Sequence, residues 1–213
     1  MQIRGGKGRM TQKIRQNLSA RPDILAIAGI IPPNCRILDL GCGDGSLLAL
    51  LRKEKNVYGS GIEISQEKIL DCVSAGVPVV QGNLNNGLKE FPDKSFDYVV
   101  LSQTLQAVKR PDQLLEEMMR VGKKAIVSII NIGYYSSRFQ IMFLGKMPVT
   151  EDLPHYWYNT PNIHLGTIRD FRNLCKEKNL NVISEIPIGV IHENLLAKLM
   201  PNLFAPTCVF VIE

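Results

Sequence analysis

The densest group of residues that could do chemistry lies at a predicted junction between a strand and a helix. Three glycines alternate with other residues behind an acid, in the stretch Asp39-Leu40-Gly41-Cys42-Gly43-Asp44-Gly45. Glycine lets the backbone turn sharply and approach a ligand closely, and the free N–H groups at the start of a helix attract anions. A dinucleotide-binding loop would have Gly or Ala three residues after Gly43, where this chain has Ser46. The stretch therefore predicts an anion-binding loop whose spacing differs from the dinucleotide pattern.

A second acid, Glu63, ends the next predicted strand, 18 residues after Gly45. A carboxylate offers two oxygens to a vicinal diol, so Glu63 can accept hydrogen bonds from both hydroxyls of a ribose. Each such bond contributes about 1.5–3 kcal/mol when it is shielded from water. The alternative is a solvated glutamate at the end of a strand. Because the glycine loop lies upstream, we favour the ribose role.

Strands that alternate with helices are predicted to position these residues. Short apolar runs predict strands at Cys35–Leu40, Val57–Ile64, Val77–Val80, Asp97–Leu101, Lys124–Ile130, Val182–Ile186 and Val209–Ile212. Start signals and apolar periodicity predict helices at Arg21–Ile30, Ser46–Lys55, Ser65–Ala75 with Ser65 as its cap, Pro111–Val121, Thr167 to about Lys178, and near Glu193–Leu199. This alternation favours a parallel sheet with helices on both faces, and ligands bind at the carboxyl ends of such strands. We therefore expect the site in the loops after Leu40, Ile64, Val80 and Leu101.

The glycine spacing behind Asp39 resembles that of the class I S-adenosylmethionine (SAM) methyltransferases. The resemblance implies that the loop faces the methionyl half of SAM and that Asp39 helps to fix the loop and the amino group. It also implies that Asn83, where the family usually has an acid, accepts a hydrogen bond from adenine; the alternative is an asparagine that forms a turn. Ser102 and Gln103 would lie beside the sulfonium. The implied cofactor-binding residues are Asp39, Gly41, Cys42, Gly43, Asp44, Gly45, Glu63, Ile64, Asn83, Leu84, Ser102 and Gln103.

Four stretches narrow the resemblance to the MetW family of methionine biosynthesis. They are 39–46, 101–107, 145–150 (Gly-Lys-Met-Pro-Val-Thr) and 157–165 (Trp-Tyr-Asn-Thr-Pro-Asn-Ile-His-Leu). The last two are not general methyltransferase motifs, and the resemblance covers nearly the whole chain. It implies a Rossmann-like, mostly parallel seven-stranded sheet of order 3-2-1-4-5-7-6. It also implies a SAM-binding protein that acts in methionine biosynthesis together with homoserine O-acyltransferase.

Other functions stay open on the sequence alone. One is an active SAM-dependent methyltransferase that acts on an unidentified small molecule without a protein partner, and a further one is a dinucleotide-dependent oxidoreductase. The sequence identifies no catalytic residue and no metal site, and S-adenosylhomocysteine is the expected product if transfer occurs. The three histidines, His155, His164 and His192, are better explained by structural or surface roles.

The segment 133–165 is too long for an ordinary connection and is rich in aromatic residues. We predict that it is an inserted lobe, either a lid over the cofactor or a surface that binds homoserine O-acyltransferase. Residues 17–213 are expected to form one domain with this lobe inside it. The five basic residues among the first 16 suggest a flexible leader, and without them the chain has 20 basic and 20 acidic residues.

Composition restricts the class of protein further. The chain is 45% hydrophobic and 21% charged, which excludes a disordered or fibrous protein. Its apolar runs are far shorter than the roughly 20 residues of a membrane helix. Five cysteines without a Cys-x-x-Cys pair fit a reducing cytoplasm and no structural zinc. The neutral body of the chain gives no reason to expect nucleic acid or a membrane as a partner.

Overall fold

The computed structural model describes residues 21–189 and 195–213. Its strands are β1 (Arg36–Leu40), β2 (Tyr58–Glu63), β3 (Val79–Gln81), β4 (Phe96–Ser102), β5 (Gly122–Ile130), β6 (Val182–Ile188) and β7 (Thr207–Ile212). They form one seven-stranded sheet of order β3-β2-β1-β4-β5-β7-β6. The predicted leader at 1–16 and His192 lie outside the described residues.

The sheet is parallel from β1 to β5 and antiparallel at one edge. Strand β1 pairs in parallel with β2 and β4, whereas β7 runs antiparallel to both β5 and β6. The predicted architecture and strand order are confirmed. Because the connections turn in opposite directions on the two sides of β1, the carboxyl ends of β1 and β4 border the crevice where ligands bind in such sheets.

The helices are α1 (Pro22–Ile30), α2 (Ser46–Lys55), α3 (Gln66–Ser74), α4 (Pro111–Val121), α5 (Tyr135–Leu144), α6 (Ile168–Glu177), α7 (Leu195–Leu199) and α8 (Pro201–Phe204). Proline at the first position starts α1 and α4. Thr167 and Asp170 form a capping box at α6, as the pattern predicts for Thr167. The predicted bounds of α2 and α4 are confirmed residue for residue, whereas α5 and α8 have no clear sequence signal.

The sheet separates two apolar cores because successive side chains of a strand point to opposite faces. Leu38 of β1 packs in one core, with Leu101 and Phe210 among its members. The neighbouring Ile37 packs in the other core, beneath α1 and α2, with Val100. Burial on both faces fixes the register of the central strands, and therefore the positions of the loops at their carboxyl ends.

The segment 133–165 consists of α5 followed by an irregular chain. The irregular part is attached to the loop after β4, since the N–H groups of Ile163 and His164 donate to the carbonyl of Gln106 at 2.9 and 3.0 Å. The buried Gln106 amide in turn exchanges two hydrogen bonds with the backbone of Ile130. The segment is thus fixed to the carboxyl ends of β4 and β5. None of the helices in the described parts of the chain has the length and apolar character needed to cross a bilayer.

Candidate functional site

The glycine loop leaves β1 at the centre of the sheet and leads into α2. Gly41, Gly43 and Gly45 have φ angles of +66°, +59° and +75°, a conformation that residues with a Cβ rarely adopt. A Cβ added to Gly41 would also lie 2.9 Å from the side chain of Thr104 in the loop after β4. The alternating glycines therefore allow both the turns of the loop and its close approach to β4.

Glu63 fixes this loop to the start of α3. One carboxylate oxygen, Oε2, accepts from the N–H of Gly43 at 2.9 Å. The other, Oε1, accepts from the N–H groups of Ile64 and Ser65 at 2.8 and 2.9 Å. Ser65 is the N-cap residue of α3, as predicted, although its hydroxyl makes no capping bond. The buried Glu63 carboxylate instead binds the two N–H groups directly before the helix.

A cleft of about 370 Å³ opens beside Glu63, at the carboxyl ends of β1 to β4. This volume lies within the range of small-molecule sites. Six of the predicted residues line it, namely Gly41, Glu63, Ile64, Asn83, Leu84 and Gln103. The sequence patterns missed others that line it, including Lys68, Thr104, Pro161 and Asn162. A larger cleft of about 740 Å³, bordered by Arg36 and Tyr58, lies at the opposite ends of the strands, where parallel sheets do not usually bind ligands.

Asn83 and Gln103 lie on different walls of the cleft. The side-chain oxygen of Asn83 accepts from both the backbone N–H and the amide nitrogen of Asn85, each at 3.0 Å. An adenine amino group would therefore have to displace one of these bonds. Gln103 has a φ of +48°, and its N–H donates to the hydroxyl and carbonyl oxygens of Ser128. Backbone in this left-handed region is strained for a residue with a Cβ, and the bonds to Ser128 hold Gln103 in it.

Cys42 and Asp44 are the non-glycine residues within the loop. The Cys42 sulfur is buried 3.8 Å from that of Cys72, and a Cβ on Gly61 would be 2.2 Å from it. Asp44 accepts hydrogen bonds from the backbone N–H and the hydroxyl of Ser46, at the start of α2. Both side chains thus stabilise the conformation of the loop.

Asp39 lies in β1 directly before the loop and is almost fully buried. Burial raises its pKa to about 7, an effect that the charge of Glu63 strengthens and that of Arg21 opposes. A buried carboxyl group that titrates near neutrality is typical of functional sites. A ligand with a cationic group would stabilise the charged form of Asp39, so the loop suits an ammonium as well as an anion.

A buried polar network at the ends of β4 and β5 was not predicted from the sequence. The guanidinium of Arg21 makes two hydrogen bonds of 2.9 Å to the carboxylate of Asp23 and one of 2.6 Å to the hydroxyl of Ser102. Ser102 and Ser128 donate to the same Asp23 carboxylate at 2.8 and 2.9 Å. Ser102, expected beside the cofactor, is therefore engaged with α1. Sequence patterns could not reveal contacts between residues about a hundred positions apart.

Comparison with known proteins identifies the family. The model of the family described as methionine biosynthesis protein MetW matches residues 21–212. The chain belongs to the MetW family. It is 37% identical over 182 residues to the bifunctional methionine biosynthesis protein MetXA/MetW of Rhodopirellula baltica. The matched region is 81% of this chain but only 29% of that relative, so the MetW chain spans less than a third of the relative's length.

Solved structures similar to this MetW chain share its fold. A putative methyltransferase of Haloferax volcanii, in complex with the Trm112 methyltransferase activator, has a TM-score of 0.66 at 18% identity, over 96% of this chain and 93% of that one. A SAM-dependent methyltransferase of Thermotoga maritima, described as a possible histamine N-methyltransferase, has a TM-score of 0.65 at 16% identity, over 96% and 95% of the two chains. The chain thus has the Rossmann-like methyltransferase fold, as its sequence motifs indicate. At this level of identity the likeness does not determine the ligand.

Proposed function

We propose that this MetW protein binds SAM in the cleft beside Glu63 and acts with a homoserine O-acyltransferase in methionine biosynthesis. The observation that carries the cofactor assignment is the meeting of the glycine loop and Glu63 at one cleft, with the buried Asp39 directly before the loop. In this proposal the amino-acid part of SAM lies at the loop, the ribose at Glu63, and the adenine between Ile64 and Leu84. S-adenosylhomocysteine would occupy the same positions.

The hydrogen bonds of Glu63 support its proposed contact with ribose. Oε2 accepts one bond, from Gly43, and so keeps a lone pair for a ribose hydroxyl. Because the same carboxylate fixes the loop, its removal would weaken both the ribose contact and the shape of the site. We expect Glu63→Ala to lower the affinity for SAM about tenfold or more.

Calorimetric titration with SAM, S-adenosylhomocysteine and NAD tests the cofactor assignment. The wild-type protein should bind the two sulfur nucleosides and give no heat with NAD. Glu67→Ala is the matched control, because Glu67 is exposed in the first turn of α3 and should not change the affinity. Binding of NAD without binding of SAM would instead support an oxidoreductase.

The proposed partner rests on two observations. In the Rhodopirellula relative, MetXA and MetW are parts of one bifunctional protein. In the present chain, more than half of the exposed large hydrophobic side chains of the described residues lie in 133–165. They include Met142, which is 70% exposed on α5, and Trp157, which is 73% exposed. Apolar surface of this extent is typical of a protein interface rather than of a free surface.

The arrangement of 133–165 also bears on the choice between a lid and an interface. Pro161 and Asn162 line the cleft, whereas the side chains of Tyr156, Trp157 and Tyr158 are exposed. We therefore propose that this stretch contacts the cofactor through one part and the acyltransferase through another. Occupancy of the cleft by SAM would then be reported to the partner enzyme.

Co-purification with the homoserine O-acyltransferase of the same organism tests the partner. Met142→Ser and Trp157→Ala should each weaken the association at least about tenfold, as expected for residues central to an interface. Leu70→Ser on α3 is the control, because Leu70 is 63% exposed on a different helix. If the two proteins fail to associate with or without SAM, while labelled SAM is turned over on a small molecule, the protein is a methyltransferase without this partner.

A further inference from the structure

Two helices of the chain begin with the same tripeptide and the same local geometry. Arg21-Pro22-Asp23 starts α1, and Arg110-Pro111-Asp112 starts α4. The two arginines have nearly identical backbone angles, with φ/ψ of −130°/75° and −128°/75°. In both, Nε and Nη2 of the guanidinium donate to the two oxygens of the aspartate two residues later. At both sites, the start of the helix and its ion pair are enough to explain this shared geometry.

The surroundings of the two ion pairs are very different. At α4 the side chain of Arg110 is 61% exposed. At α1 the Asp23 side chain is 1% exposed and Arg21 is 35% exposed. Ser102 and Ser128 add hydrogen bonds to Asp23, and Ser102 accepts a further bond from Arg21. The network holds the Arg21 guanidinium in one orientation, which a helix start alone does not require.

The position of Arg21 places this fixed cation beside the glycine loop. Ser102, which it contacts at 2.6 Å, directly follows Leu101, and Leu101 pairs with Leu40 at the end of β1. The loop begins at the next residue, Gly41. Burial lowers the pKa of Arg21, but the nearby carboxylates raise it by more. Arg21 therefore stays positively charged. Two of these carboxylates, Asp39 and Asp44, belong to the loop region itself.

We propose that Arg21 binds the carboxylate of an α-amino acid head group, the methionyl end of SAM in the function proposed above. An α-amino acid carries one positive and one negative group a few bonds apart. Asp39 lies directly before the glycine loop and is close enough to Arg21 for each to influence the other's pKa, so the two offer opposite charges beside this loop. Arg21 is a carboxylate receptor in this assignment, and Asp39 receives the ammonium group.

The donors of Arg21 fit this role. Nε and Nη2 are used by Asp23 and Ser102. Within the described residues no hydrogen bond engages Nη1, which carries two of the five N–H donors of a guanidinium. Charge-assisted bonds from a guanidinium to a carboxylate are among the strongest polar contacts in proteins. Because the Asp23 network already fixes the side chain, little conformational entropy is lost when the ligand binds.

The test compares two ligands that differ only in the amino-acid part. The titrations use S-adenosylhomocysteine and methylthioadenosine, the thioether nucleoside that lacks the amino and carboxylate groups. Arg21→Gln should lower the affinity for S-adenosylhomocysteine about tenfold or more and leave that for methylthioadenosine unchanged. Arg110→Gln, the matched control at α4, should change neither. Retained binding of methylthioadenosine also shows that the Arg21→Gln site is folded.

The outcomes separate this assignment from the proposed function on which it rests. If the wild-type protein binds neither nucleoside, the proposed SAM site is wrong, and the assignment of Arg21 with it. If the wild type binds both and Arg21→Gln does not weaken S-adenosylhomocysteine, only the assignment of Arg21 is wrong. An equal loss for both ligands would show that Arg21 merely maintains the fold of α1. Should Arg21→Gln unfold, Arg21→Lys, which keeps the charge without the fork geometry, should show the same selective loss in weaker form.

Discussion

The starts of α1 and α4 show how one local motif acquires two roles. Both helices begin with Arg-Pro-Asp, and both form the same ion pair between the arginine and the aspartate. At α4 the pair lies on the surface, where such a pair adds little to stability. At α1 the aspartate is buried among two serine hydroxyls at the ends of β4 and β5. The motif determines the helix start, whereas its place in the fold determines what else the charges can do.

The largest difference between the two motifs should appear in stability. Asp23→Asn removes the charge that pairs with Arg21 and leaves an amide among donors that all point toward it. Breaking a buried ion pair from one side costs about 3–5 kcal/mol, and because Arg21 is partly exposed we expect about 3 kcal/mol at the lower end of that range. Asp112→Asn should change the free energy of unfolding by less than about 1 kcal/mol, because its ion pair lies at the surface. Urea unfolding of both variants measures the difference, and equal losses would contradict it.

A smaller effect should follow from the hydroxyls that distinguish the two sites. Ser128→Ala removes one of the donors to Asp23, while the N–H of Gln103 keeps its bond to the Ser128 carbonyl. Loss of a buried hydrogen bond to a charged group should reduce the free energy of unfolding by about 1–2 kcal/mol. Ser95→Ala is the control, because the Ser95 hydroxyl bonds the Pro92 carbonyl at the surface. A Ser128→Ala protein as stable as the control would show that Arg21 and Ser102 suffice for Asp23.

The sequence predicts the features that depend on local chemistry. The alternating glycines predict the turns at Gly41, Gly43 and Gly45, and all three have positive φ. The strand order follows from the family resemblance, and it is confirmed. The capping pattern predicts the start of α6 at Thr167. These signals are local or belong to the whole family, so a single chain is enough to reveal them.

The features that the sequence does not predict depend on contacts across the fold. Asp23 meets Ser128 across 105 positions, and neither residue type nor spacing indicates it. Pro161 and Asn162 reach the cleft because their neighbours Ile163 and His164 bind the carbonyl of Gln106. The cofactor-binding role of the predicted residues stays a prediction, which the titrations above address.

The last prediction concerns the charge of Asp39, which Arg21 influences and Arg110 does not. Burial raises the pKa of Asp39 to about 7, and the charge of Arg21 opposes this rise. Asp39 should therefore lose its proton as the pH increases through neutrality, and the ionised form attracts an ammonium group. Affinity for S-adenosylhomocysteine should increase about threefold from about pH 6.5 to about pH 7.5. The amino group of S-adenosylhomocysteine, like that of a free amino acid, titrates above this window, so the change in affinity reports mainly on the protein.

Variants of the same residues decide whether Asp39 is the group that titrates. Asp39→Asn should give an affinity independent of pH in this window. Arg21→Gln should move the midpoint to higher pH, because the carboxyl loses the cation that favours its ionisation, whereas Arg110→Gln should not move it.

The stability of the protein without ligand should change with pH in the opposite direction to the affinity. The folded protein binds the Asp39 proton more tightly than the unfolded chain, so this contribution is full below about pH 4 and is lost as the pH rises toward about 7. Asp39→Asn should thus be more stable than the wild type at about pH 8 by more than about 1 kcal/mol, and this advantage should shrink as the pH falls. A wild-type affinity that does not change with pH would assign the cationic end of the ligand to another group.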